Sequence, residues 1–188
     1  MIDESEQLER LRGSMSKAVE KGEFEPYLQF VVDRAGTVVG AEAVSRWQNP
    51  EEGLLPPSKY IDLMIRAGTI TELDLYMLRC ACVQLQTWKR EGRGTLWLSC
   101  NFTRQSIADE KILARVREIV EQYDFTRDRL VVELTEDSYA HDRETALRTI
   151  EGLHAMGLRI VLDDIGAGYS SLSDLSTYPI DGVKIDRS

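Results

Sequence analysis

The sequence predicts an α/β protein with a largely parallel sheet and helices outside it. Three observations support this. From about residue 95 onward, apolar runs of strand length alternate with amphipathic stretches of helical length, the pattern that links parallel strands through helical crossovers. Ahead of that alternation, two strand-like segments separated by a short turn form an antiparallel opener. The carboxyl ends of the strands carry carboxylates and amides, at the rim where parallel α/β folds collect their chemistry.

Residues 5 to 21 repeat Leu8, Leu11, Met15, Ala18 and Val19 at helical spacing, and Gly22 supplies a stop. The segments YLQFVVD and TVVGAEAVSRW are rich in β-branched and aromatic residues and flank the turn DRAG. After the Pro- and Gly-rich loop QNPEEGLLPP, Ser58 is placed to cap a short helix ended by Gly68. Thr71 is placed to cap a longer one running to about Arg90. Leu75, Leu78, Cys82 and Leu85 form the inward stripe of that helix. The alternation then runs as strand TLWLSCN, helix ADEKILARVREIVEQY, strand RLVVEL, helix DRETALRTIEGLHAM, strand LRIVLDD, the short segment SLSDLSTY and strand DGVKID.

This makes about six strands in 188 residues. A closed barrel of eight strands and eight helices takes about 250 residues. The sheet therefore either stays open or forms part of a longer barrel. A composition that is 43% hydrophobic and 29% charged is that of a globular domain. With no apolar run of about 20 residues, and an acidic start unlike a signal peptide, the chain reads as a cytoplasmic protein without membrane insertion. Cys80, Cys82 and Cys100 lack metal-site spacing and read as packing residues in a reducing compartment. A net charge of −9 argues against a nucleic-acid polymer as partner.

The strand ends carry Glu42, Asn101, Glu133, Asp163 with Asp164, and Lys184 with Asp186. Oxygen donors without cysteine or histidine suit a hard cation such as Mg²⁺, Mn²⁺ or Ca²⁺. So dense a set of carboxylates repels itself unless metal or protons neutralise it. Two bridged cations would suit in-line attack on a phosphodiester, with Lys184 as a point charge nearby. Simpler readings stand beside these. Asn101 could cap the helix after it, Asp186 could pair with Arg187 at the surface, and Arg46 could be a solvated charge beside Trp47 rather than a phosphate contact. Neighbouring side chains on a strand alternate, so Asp163 and Asp164 can share a site only where the strand ends and turns, which Gly166 and Gly168 permit. His141 and His154 have no partner motif, and Trp88 and Trp97 are explained by packing.

Taken in order, YLQFVVD, VVGAEAVSRWQNPEEGLL, LSCNFTRQ, VVELTED, LDDIGAGYSSLSDL and PIDGVKIDRS resemble the EAL domain family of cyclic di-GMP phosphodiesterases. The resemblance runs from about Gly22 to Ser188. It implies a TIM-barrel-like fold with an antiparallel first strand, with about six of eight strands present and residues 1–188 forming one domain truncated at its carboxyl-terminal end. It also implies hydrolysis of cyclic di-GMP to linear pGpG with two Mg²⁺ or Mn²⁺ ions. By that resemblance Glu42, Asn101, Glu133, Asp163 and Asp164 match metal ligands, Lys184 and Asp164 catalytic groups, and Gln29 and Arg46 substrate contacts. The loop after Asp164 matches a segment that couples the site to a homodimer contact.

The chain departs from the family pattern at Val44, Ser45, Phe30, Ile65, Ile165 and Ala167. A further glutamate and a glutamine that the family places beyond the last strand have no counterpart here. The alternative reading is a catalytically inactive EAL module that binds cyclic di-GMP or a protein partner.

Overall fold

The computed structural model describes residues 4–135, 143–165 and 178–185. Helix α1 (Glu4–Glu20) leads into β1 (Phe24–Val32) and β2 (Val38–Asn49). The two strands pair antiparallel, with Gln29 opposite Glu42, around the turn in which Asp33 Oδ1 accepts from the amides of Ala35 and Thr37. A three-residue strand β3 (Gly53–Leu55) returns along β2, followed by a 3-10 turn (Pro57–Lys59), α2 (Ile61–Ala67) and α3 (Ile70–Arg90). Next come β4 (Trp97–Phe102), α4 (Arg104–Ala108), α5 (Ile112–Val120), a second 3-10 turn (Arg127–Arg129), β5 (Leu130–Thr135), α6 (Arg143–Ala155), β6 (Arg159–Ile165) and β7 (Gly182–Ile185). The sheet order is β1-β2-β4-β5-β6-β7; β1 and β3 are antiparallel to β2, and every later pairing is parallel.

The predicted α/β class and the antiparallel opener are therefore present, with β3 as an unforeseen seventh strand inside the Pro- and Gly-rich loop. The predicted helix 108–123 is the shorter α5, and a separate helix α4 precedes it. Neither expected cap forms. Tyr60 stands at the N-cap of α2, which the chain enters through the 3-10 turn begun by Pro57, and Thr69 at that of α3, both without a side-chain cap bond. Gly68 does end α2, at φ 68°, a left-handed conformation that glycine adopts without Cβ strain. Leu8 on α1 is exposed, and only the carboxyl-terminal half of its stripe, Met15, Ala18 and Val19, is buried.

Strand alternation divides the sheet into two faces. Ala41, Ala43, Leu98, Cys100, Phe102, Leu130, Val132, Leu134, Ile160 and Leu162 are all buried and share the helix-covered face. Against it pack Leu75, Leu78, Cys82 and Leu85 of α3, as the stripe predicts, together with Trp88. Phe24, Trp47 and Tyr60 close one end of this core, with ring centroids 5.2 to 6.0 Å apart. Gln29, Glu42, Ser99, Asn101, Glu133, Asp163 and Lys184 occupy register positions on the other face. Trp97 shares that face and lies over Gly40, where any Cβ would sit 2.3 Å from the indole ring. Among the described residues no helix is long and apolar enough to cross a membrane.

Candidate active site at the strand ends

The polar face converges on one ammonium. Lys184 Nζ donates to Glu133 Oε2 at 2.7 Å, Glu42 Oε2 at 2.8 Å and Asp163 Oδ2 at 3.1 Å. Asn101 Nδ2 donates to the other oxygen of Glu42 at 2.9 Å. Strands β2, β4, β5, β6 and β7 thus each contribute one group, as five parallel strands side by side allow; Glu42 does so from within β2, which runs on to Asn49, rather than from its expected place at a strand end. Asn101 lies within β4, and Thr103 rather than Asn101 stands at the N-cap position of α4, so the capping alternative does not hold.

Lys184 is positioned by a two-way tie at the start of β7. The Asp181 amide donates to the Ile160 carbonyl at 2.8 Å, and Asp181 Oδ2 accepts from the Ile160 amide at 2.8 Å. The register between β6 and β7 then shifts: Leu162 pairs with Val183 and Ile165 with Ile185, so Asp163 and Asp164 together oppose the single residue Lys184. This is a β-bulge, which breaks strict alternation inside a strand and re-aims its side chains. The sequence reading put that break at the end of the strand; β6 instead continues to Ile165. The side chain of Asp164 and the loop 166–177, including Gly166, Ala167 and Gly168, lie outside the described residues, as do His141 and Asp186.

Three carboxylates around one ammonium leave a net charge of −2 in a half-buried site. Glu133 is 3% exposed. Burial pushes its carboxyl above the ordinary glutamate value and the Glu42 charge adds to the push, against the pull of hydrogen bonds from Lys184 and Ser99. For Lys184, burial disfavours the charge, but the hydrogen bonds to Glu133 and Glu42 outweigh it and hold the ammonium well above the ordinary lysine value. Lys184 is therefore a fixed cation. Among the described residues no three His, Cys, Asp or Glu groups form a ready metal cage; the three acids meet on the ammonium instead. The donor set nonetheless fits a hard cation: all its members are oxygen ligands, they already converge on a positive centre, and their charge exceeds what one lysine neutralises.

The two predicted substrate contacts flank this centre on the antiparallel side. Gln29 pairs with Glu42 across β1 and β2. Arg46, two strand alternations beyond Glu42, lies 5.7 Å from the Tyr27 ring centroid and donates to the Ser45 carbonyl at 2.8 Å. It is a held guanidinium rather than a free surface charge, and Tyr27 is the platform that sequence reading missed. The Ser45 hydroxyl, on the helix-covered face, meets the fully buried Tyr60 hydroxyl at 2.7 Å, so this departure from the family pattern is satisfied inside the core. Beside Asn101 opens a cleft of about 660 Å³ lined by Ile65, Phe102, Thr103, Arg104, Gln105 and Ala108. Asp74, also unforeseen, is 5% exposed on α3 and accepts three hydrogen bonds from the turn after β4. Its signal in the sequence is an acid at helical spacing between Ile70 and Leu78, in an otherwise apolar stripe.

A parallel sheet with an antiparallel opener, carrying acids from successive strands around a lysine, defines a class of α/β proteins with a polar rim site. Comparison with known proteins specifies it: the EAL domain family matches residues 12–188, and the chain belongs to that family. It is 32% identical over 174 residues to the cyclic di-GMP phosphodiesterase PdeR of Escherichia coli K12, covering 93% of this chain and 26% of PdeR. It is also 32% identical over 152 residues to the bifunctional diguanylate cyclase/cyclic di-GMP phosphodiesterase MucR of Pseudomonas aeruginosa PAO1, covering 81% of this chain and 22% of MucR. The chain thus spans about a quarter of the length of these relatives. A solved structure described as the PaMucR phosphodiesterase in complex with c-di-GMP superposes with a TM-score of 0.87 at 30% identity, covering 95% of this chain and 72% of that one.

Proposed function

We propose that the chain hydrolyses cyclic di-GMP to linear pGpG in a reaction that depends on Mg²⁺ or Mn²⁺. The observation that carries this reading is the convergence of Glu42, Glu133 and Asp163 on Lys184, with Asn101 bound to Glu42, in a chain of the EAL family. Glu42, Asn101, Glu133, Asp163 and Asp164 would hold the metal, in a two-metal arrangement. What a divalent cation supplies there is Lewis acidity toward a phosphoryl oxygen and an activated water. Lys184 keeps the carboxylates gathered and adds a positive charge where the phosphodiester develops negative charge. Arg46, braced on Tyr27, presents a guanidinium fork to a phosphate, and Gln29 approaches from the neighbouring strand. The cleft beside Asn101 has the volume of a ligand pocket and lets a nucleotide extend from the carboxylates along β4 and α4. A cytoplasmic setting belongs to the same reading and is supported by three free cysteines. Incubation with cyclic di-GMP and Mn²⁺, followed by chromatographic separation of pGpG, tests it; no turnover by folded, metal-loaded protein would remove the catalytic claim.

One observation favours a second reading, an inactive module that binds the nucleotide. The carboxylates are already neutralised in part by Lys184, and among the described residues they form no ready metal cage. Calorimetric binding of cyclic di-GMP without product formation would select this reading.

A further inference from the structure

We propose that Asp74 is a positioning residue for the carboxylate site: from the helix side of the sheet it holds the turn between β4 and α4, and so sets the Asn101 amide against Glu42. The catalytic consequence of this proposal rests on the phosphodiesterase reading, whereas the positional one does not.

One oxygen of Asp74 does the holding. Oδ2 accepts from the Thr103 amide at 2.8 Å, the Thr103 hydroxyl at 2.8 Å and the Ser106 hydroxyl at 2.6 Å. Ser106 Oγ also reaches Thr71 Oγ1 at 3.2 Å, which ties the first turn of α3 into the same knot. Thr103 is the residue at which β4 becomes α4, two positions after Asn101. Strand β4 pairs with β2 only as far as Cys100, so at Asn101 the ladder holds the chain on the β5 side alone. Here Thr103 makes no side-chain cap bond to α4, because its hydroxyl is turned to Asp74.

Packing does not replace this anchor. Asp74, Asn101 and Thr103 line a common cavity of about 240 Å³, with Ala43, Val44, Leu73 and Met77 among its other walls. The cavity leaves Asn101 and Thr103 unpacked on that side, so the hydrogen bonds of the turn add to the β5 ladder in holding the strand end. A buried carboxylate is a costly choice for a purely structural tie, since burial pushes Asp74 up to about 6 even with these donors present. The return is a single acceptor that takes three donors at one point. An asparagine carbonyl can do the same, whereas alanine leaves the Thr103 amide without its acceptor and the two hydroxyls only each other and Thr71.

The 188-residue chain is compared as wild type, Asp74→Asn, Asp74→Ala and the milder pair Thr103→Val and Ser106→Ala. Two readouts are taken: the ¹⁵N–¹H signals of the Asn101 side-chain amide, assigned by their loss in Asn101→Ala, and the kcat and KM for cyclic di-GMP. The expected result is that Asp74→Ala moves the Asn101 amide signals by more than a linewidth and lowers kcat by roughly 10²-fold with KM little changed. Asp74→Asn restores both, and the two milder variants move the signals in the same direction by less. Should Asp74→Ala not fold, the milder variants decide. Asn101 signals that stay in place in every folded variant, with only the melting temperature lowered, overturn the proposal. Absence of turnover in wild type overturns the phosphodiesterase reading alone, and the Asn101 signals still decide the role of Asp74.

Discussion

Lys184 and Glu133 form the most buried ion pair of the site, 2.7 Å apart. Removing the ammonium leaves three carboxylates with no shared donor, one of them almost fully buried. Lys184→Gln is expected to lower cyclic di-GMP turnover by about 10²–10³-fold, as measured by initial rates at saturating metal. Asp74 yields a prediction of opposite character. Its folded-state carboxyl titrates at about 6 against an ordinary 3.8, so between those values the folded chain holds a proton that the unfolded chain has lost. Stability therefore falls as pH rises from about 4 to about 6 and is level above that, by on the order of 3 kcal/mol for a shift of this size. Asp74→Asn, which does not titrate, should lack this slope in urea titrations across the window; an equal slope in both proteins would contradict the assignment. Among the site residues, Glu42, Asn101, Glu133, Asp163 and Lys184 were legible in the sequence because each ends an apolar run. Tyr27 and Asp74 were not: their roles depend on which segments pack against them, which a linear pattern does not contain.

Strand register decides which side chains can meet at the scale of elements. The bulge that sets Asp163 and Asp164 against Lys184 is a property of two strands and cannot be read from β6 alone. The alternation rule applied to a single strand puts the break at the strand end, whereas the register shift lies within β6. Strand β3 escaped for a related reason: three residues in a Pro- and Gly-rich loop become a strand only because β2 offers Trp47, Gln48 and Asn49 as partners. The opposite end of the site face depends on Gly40, whose Cβ would also meet the Trp97 carbonyl at 2.6 Å. Gly40→Ala must push the indole and the backbone of β4 away from β2. A loss of about 1–3 kcal/mol in unfolding free energy by urea titration is expected, with turnover falling as β4 shifts beneath Asn101.

For the whole molecule, the fold places a surplus of negative charge at the meeting point of five strands and offers one internal cation to balance it. A divalent ion that binds only the folded chain stabilises it in proportion to its saturation, by about 2.7 kcal/mol at a concentration one hundred times its Kd. Mn²⁺ should accordingly raise the melting temperature of the wild type and do so far less for Glu42→Gln; equal shifts would place the ion elsewhere. The broad architecture was legible because alternating strands and helices admit few topologies. The function proposed for this rim is cleavage of a phosphodiester. Its most direct test is chromatography of cyclic di-GMP after incubation with folded, Mn²⁺-loaded protein. Conversion to pGpG that stops on chelation and is lost in Glu42→Gln is expected; nucleotide recovered unchanged would contradict a phosphodiester-cleaving rim.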